Sequence, residues 1–192
     1  MSNYSNILKQ TITESVESVP NIWKDSIFND MQPLASDIRG KWGEKLLFTF
    51  LKECKKFELK WDEDSNINAS DGKYDLTVDG KRVEVKTAFR GTTNYSWQHE
   101  NLYEEHVWDK VSFIDVDVNG IFFTVIDYDE ISFKETHPIF NKTATLRKNR
   151  DDGYKFDLSK NNIIRGIRGG LTFYWDLTND NDLYKFLIKK FS

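Results

Sequence analysis

The stretch GKYDLTVDGKRVEVKTA, residues 72–88, decides how the rest of the chain is read. Asp79-Gly80 separates two runs, Tyr74–Val78 and Lys81–Ala88, in which apolar and polar residues alternate. Alternation is the period of a strand, and an Asp-Gly dipeptide between two such runs signals a tight hairpin. With these two residues as the loop, Val78 pairs with Lys81, Leu76 with Val83, and Asp75 stands opposite Glu84. Leu76, Val78, Val83 and Val85 then share the core face, while Asp75, Glu84 and Lys86 share the other.

Two carboxylates facing each other across paired strands repel and weaken the sheet. A divalent cation between them would reverse that penalty, and Mg²⁺ takes one or two carboxylates with water and phosphate oxygens completing its shell. Lys86, diagonal to Asp75, could hold a water or offset phosphate charge. Spacing alone equally admits a solvated polar face whose charges pair with Lys86 and Arg82. The Glu-x-Lys string is weak by itself, because Glu53-Cys54-Lys55 and Glu58-Leu59-Lys60 repeat it. Only Glu84-Val85-Lys86 combines strand context, a facing aspartate and an acidic helix upstream.

That helix is expected over residues 36–56, capped by Ser36 or Asp37. Trp42, Leu46, Leu47, Phe50, Leu51 and Cys54 recur at helical spacing, with Glu44 at the edge of their stripe. Phe57, Leu59 and Trp61 alternate as a strand before the polar stretch 63–73. A short helix over 100–109 and strands over 111–117 and 121–127 follow, the latter around Val118-Asn119-Gly120. Leu171–Trp175 reads as a strand, and 178–191 as a closing helix capped at Thr178 or Asn179. Upstream, Pro20 and Pro33 bracket a short helix in a loosely helical arm. The expected division is an arm at 1–35, a core at 36–137, and a basic segment with closing strand and helix at 138–192, Pro138 opening the last. The fold class is α/β, with a central mixed sheet flanked by helices.

Composition narrows the setting. The 192 residues suffice for one domain with a real core. No run of about 18 apolar residues exists, so no membrane segment is expected. The N-terminus lacks the basic start and apolar stretch of a secretory signal. The single cysteine, Cys54, cannot form an intrachain disulfide. An intracellular, cytoplasmic protein is the expectation. The net charge of −4 is unevenly spread. Residues 142–168 carry Lys142, Arg147, Lys148, Arg150, Lys155, Lys160, Arg165 and Arg168 against Asp151, Asp152 and Asp157. Clustered positive charge steers polyanions whatever the total.

Residues 72–88, with Gly40-Lys41-Trp42-Gly43-Glu44 upstream, resemble the core motif of the PD-(D/E)XK nuclease superfamily, which includes many restriction endonucleases. The likeness covers roughly residues 36–127. It departs from the family pattern at Tyr74, where proline often precedes the aspartate. It implies a restriction-endonuclease-like core. Asp75, Glu84 and the Val85 carbonyl would bind Mg²⁺, with Mn²⁺ able to substitute. Lys86 would orient the attacking water, and Glu44 would hold a second metal or a metal-bound water. The implied reaction is in-line hydrolysis of a phosphodiester, leaving a 5′-phosphate.

Thr87, Arg90 and Gln98 follow the Glu-x-Lys strand and would approach the substrate backbone, or else form an ordinary polar loop. Asn94–His99 could line a DNA groove or cover the sheet edge. His99, His106 and His137 have no zinc-site spacing and are read as non-ligands. In the basic segment, Arg147, Lys148 and Arg150 suit phosphate contacts, while Arg165 and Arg168 lie beside glycines that let backbone approach a ligand. A charge run is usually a solvated basic loop, but DNA contact is weighed above that here because the nuclease reading is favoured. The leading expectation is a site-specific Type II restriction endonuclease, prokaryotic or from a phage, acting on double-stranded DNA as a homodimer. A structure-selective nuclease, such as a junction resolvase or phage recombination nuclease, shares that core. So would a non-catalytic nucleic-acid-binding protein.

Overall fold

The computed structural model describes Thr11 and residues 21–61, 74–105, 107–131, 133, 146–148 and 153–192. Within them, helix α1 (Ser36–Cys54) leads into strands β1 (Leu59–Trp61), β2 (Leu76–Val78) and β3 (Lys81–Phe89). Strands β4 (Ser96–Leu102), β5 (Lys110–Asp117) and β6 (Gly120–Asp127) follow. A short β7 (Leu146–Lys148), β8 (Tyr154–Ser159), helix α2 (Lys160–Arg168), β9 (Thr172–Trp175) and helix α3 (Asp180–Phe191) complete the order.

Six strands form one sheet in the order β1-β2-β3-β5-β6-β9. Only β3 and β5 run parallel; the other pairs are antiparallel. The fold is therefore α/β with a mixed, mostly antiparallel sheet. The β2–β3 hairpin has the register read from the Asp-Gly turn, Leu76 pairing with Val83 and Val78 with Lys81. Asp79 and Gly80 both have positive φ, 49° and 78°, as the two-residue turn of that hand requires.

Each face of the sheet is covered differently. On one side, Leu47 and Leu51 of α1 and Leu183, Leu187 and Phe191 of α3 pack on Leu76, Val83, Val85, Ile114 and Phe123. On the other, Trp97 and Leu102 of β4 and Phe156 and Leu158 of β8 pack on Ala88, Val111 and Phe113. Every residue of β5 is buried, because the strand is central and covered on both faces. The second cover is itself a three-stranded sheet, β4-β8-β7. Although β9 and α3 end the chain, they belong to the main sheet and its first core.

Several local expectations are corrected. The helix at 100–109 is not formed: β4 runs through Leu102, because His99 and Leu102 find antiparallel partners in Phe156 and Tyr154. The span between Pro20 and Pro33 is a succession of turns from 21 onward rather than a helix. The cap of α1 is Ala35, with no side-chain bond, in place of Ser36 or Asp37, which are already helical. At α3 the cap is Asn179. The basic stretch, for which no strand or helix is expected before Leu171, contains β7, β8 and α2. Pro138 and the stretch 63–73 lie outside the described residues.

Candidate active site

The β2–β3 ladder stops where Leu76 meets Val83, and the remaining half of β3 presents an open edge on that side. Asp75 sits at this point. Its N–H donates to the Val83 carbonyl at 2.9 Å, one step off the ladder register. Its Oδ2 accepts the Val85 N–H at 2.6 Å, replacing the backbone acceptor that a longer β2 would have supplied. Asp75 thus leaves the ladder instead of facing Glu84 as a paired residue, yet it stays close enough for the two charges to interact. Since the N–H and C=O of one strand residue point the same way, the Val85 carbonyl faces the same edge.

A cavity of about 600 Å³ opens along this edge, walled by α1 on one side and β4 on the other. Helix α1 contributes Ser36, Asp37, Gly40, Lys41 and Glu44 to it; β3 contributes Val85, Lys86 and Thr87 beside Asp75. Gln98, His99, Glu100 and Asn101 come from β4. Residues on both faces of β3 reach the cavity because no neighbouring strand closes this edge. Of the four expected residues, Glu44, Asp75 and Lys86 therefore line one cavity. Glu84 stands behind them, 3% exposed and ion-paired through Oε1 with Lys86.

The electrostatics are unbalanced. Burial, then the negative charges of Glu84 and Glu44, push the Asp75 carboxyl up to about 8; the Val85 N–H and Lys86 offset only part of this. Glu84 is raised too, chiefly by burial, with Lys86 pulling the other way and Glu44 adding to the rise. Buried carboxylates in this state either hold a proton or take a cation. Glu84 Oε2 is buried with no hydrogen-bond partner, an acceptor left for something else to satisfy. The available donors are carboxylate and carbonyl oxygens, the set a hard divalent ion such as Mg²⁺ or Mn²⁺ prefers over zinc. The residues present therefore fit such an ion. Among the described residues no three or more His, Cys, Asp or Glu side chains already converge as a metal cluster. Glu84 is turned to Lys86, Asp75 to the Val85 amide, and Glu44 to Lys41 at 3.5 Å.

Of the residues expected to approach substrate, Thr87 and Gln98 line the cavity. Arg90 does not: its Nη1 lies 2.6 Å from Asp117 Oδ1, and its guanidinium stacks on Tyr95, whose hydroxyl also donates to Asp117. Arg82 is likewise engaged elsewhere, donating to both Asp109 oxygens, so it does not compete with Lys86 for Glu84. Arg165 and Arg168 are exposed on α2, away from the cavity lining. Arg147 and Lys148 belong to β7; Arg150, His106 and His137 lie outside the described residues. His99 Nε2 lies 2.7 Å from Oδ1 of buried Asp115.

Sequence reading passed over the α1 residues that join Glu44 at the cavity. Asp37 and Lys41 precede Glu44 by seven and three positions, the spacing of one helix stripe, and that polar stripe opposite the apolar one was the available signal. Glu100 and Asn101 had no such signal, because β4 itself was not anticipated. No family model matches the chain, and no curated protein is significantly similar to it.

Proposed function

We propose that this protein is a Mg²⁺-dependent endonuclease that hydrolyses phosphodiester bonds of double-stranded DNA at the edge of β3. The observation that carries the reading is that Glu44 and Asp75 line one open cavity beside Lys86, with Glu84 buried behind them on Lys86 and the Asp75 and Glu84 carboxyls both raised chiefly by burial. Asp75, Glu84, the Val85 carbonyl and Glu44 are the groups that would hold the ion. When bound, a divalent cation lowers the pKa of water and offsets charge on the phosphorane-like transition state.

The chain's own residues do the rest. Lys86 Nζ, held by Glu84, orients the attacking water and adds positive charge beside the phosphate. The Val85 N–H fixes the Asp75 carboxylate in place. Gln98 contacts the substrate backbone from the cavity wall, which Thr87, its Oγ1 buried, helps to shape. In-line attack leaves a 5′-phosphate. Exposed Arg165 and Arg168 on α2 offer charge for a flanking duplex. Site-specific cutting by a homodimer, as in a Type II restriction enzyme, is the specific form proposed, since two-fold pairing of one small catalytic unit cuts both strands.

The test is incubation of supercoiled plasmid with Mg²⁺, Mn²⁺ or chelator, followed by sequencing of product ends. Discrete recurrent cuts that need metal are expected. Lys86→Ala should lower the rate by about 10²–10³-fold, the usual worth of one positioned electrostatic donor, while DNA binding persists. Cuts confined to branched substrates would instead indicate a structure-selective nuclease. Absence of cutting by the wild type with either metal would leave only a binding protein.

A further inference from the structure

A second cavity of about 220 Å³ adjoins the first, and Ser36, Thr87 and Gln98 line both. The two make one groove along the open edge of β3, but their charges differ. The first holds Asp37, Glu44, Asp75 and Glu100 against Lys41 and Lys86. In the second, Arg39 is the one charged lining residue, beside Ala88 and Phe89. The Arg39 guanidinium lies 5.3 Å from the centre of the Phe89 ring, and its Nη1 donates to the Gln32 carbonyl at 3.5 Å. No carboxylate pairs with it among the described residues. Stacking and one weak bond orient the guanidinium while leaving most of its five N–H donors available. Thr87 Oγ1, buried and without a hydrogen-bond partner, stands between the two compartments.

We infer that the second cavity is a phosphate subsite, in which Arg39, with Ser36 and Gln98, holds the phosphodiester next to the one cut in the first. This rests on the proposed reading of the first cavity. A bare phosphate is repelled from the first compartment, where acids outnumber lysines, and is attracted to the second, where Arg39 is unopposed. Two compartments sharing three wall residues suit consecutive phosphates of one strand, and a guanidinium fork matches phosphate oxygens in geometry and charge. The subsite therefore anchors a strand whether or not a cation is bound. It also makes a polynucleotide a better substrate than an isolated diester.

Two measurements on Arg39→Ala and Arg39→Gln test this, with thermal unfolding to show that the variants fold. The first compares hydrolysis of plasmid with that of bis-p-nitrophenyl phosphate, a diester with no neighbouring phosphate. The loss on plasmid should exceed the loss on the small diester by about tenfold or more, the worth of a charge-assisted hydrogen bond. Equal losses on both, or none on either, would overturn the subsite. The second measures binding of a fluorescent oligonucleotide in chelator by anisotropy. Affinity should fall roughly tenfold, with a salt dependence shallower by about one ion. If the wild type hydrolyses neither compound, the reading of the first cavity fails while this binding comparison still decides the subsite: weaker binding supports it and unchanged binding refutes it.

Discussion

Gly43 of α1 rests directly on Thr87 of β3: a Cβ placed on Gly43 would lie 1.9 Å from Thr87 Oγ1. The next residue is Glu44, so this contact sets how close the helix brings its carboxylate to the cavity. Gly43→Ala must push α1 outward or displace Thr87. Overpacking of this kind costs about 1–3 kcal/mol, so unfolding monitored by circular dichroism should show a lower Tm together with slower cleavage. Thr87→Ala removes the clashing oxygen. The double variant should recover part of the lost stability, and failure to recover any would show that the contact does not set the helix position.

Asp75 should make the metal-free protein less stable as pH rises. Its folded pKa is raised to about 8, chiefly by burial and then by Glu84 and Glu44. The folded state keeps a proton that the unfolded chain has already released. The stability this supplies is complete below the ordinary carboxylate pKa of about 4 and is lost progressively as pH rises towards about 8. Glu84 is shifted in the same direction. In chelator, Tm should fall across that window, and Asp75→Asn should flatten the fall. At pH 8 the asparagine variant should be the more stable by roughly 1 kcal/mol or more, about 2–4 °C for a chain of this size. Its cleavage should be lost. Adding Mg²⁺ at pH 8 should raise the Tm of the wild type far more than that of the variant.

What was legible in the sequence followed from local rules. The hairpin register needed only the Asp-Gly turn and period-two alternation, and it carried Asp75, Glu84 and Lys86 to one edge. The helix bearing Glu44 was visible in its apolar stripe. Long-range partners were not visible. Strand β4 is polar at Gln98, Glu100 and Asn101 because one of its faces is exposed, and its pairing with β8 spans some sixty residues. Nothing near residue 100 announces that partner. Arg90 illustrates the same limit from another side. Its charge invited a role at the substrate, but Asp117, distant in sequence, consumes it.

Removing Lys86 should destabilise the protein as well as silence it. Its ammonium is the ion-pair partner of Glu84, whose other oxygen already lacks a hydrogen bond. Stripping a partner from a buried carboxylate typically costs about 3–5 kcal/mol. Glu84 can escape part of that by taking up a proton, which is easier at low pH. The Tm deficit of Lys86→Ala in chelator should therefore be larger at pH 8 than at pH 5. A deficit that ignores pH would mean that Glu84 is already protonated in the wild type.

The His99–Asp115 pair tests whether the cavity floor depends on a buried polar contact. Both side chains are almost fully inaccessible, the imidazole Nε2 lies 2.7 Å from Asp115 Oδ1, and the ring sits 4.7 Å from that of Phe113. Burial raises the Asp115 carboxyl, with His99 opposing the rise. The remaining nitrogen of His99 and the remaining oxygen of Asp115 have no hydrogen-bond partners. A half-satisfied pair in so dry a place contributes little net stability, but breaking it strands the survivor. Asp115→Ala should cost about 3 kcal/mol. Joint replacement by His99→Leu and Asp115→Val should cost less than the two single changes added together. A double-mutant cycle in urea measures the difference. Strict additivity would show that the two groups do not depend on each other, and that β4 is held over β5 by Trp97, Leu102 and their apolar neighbours alone.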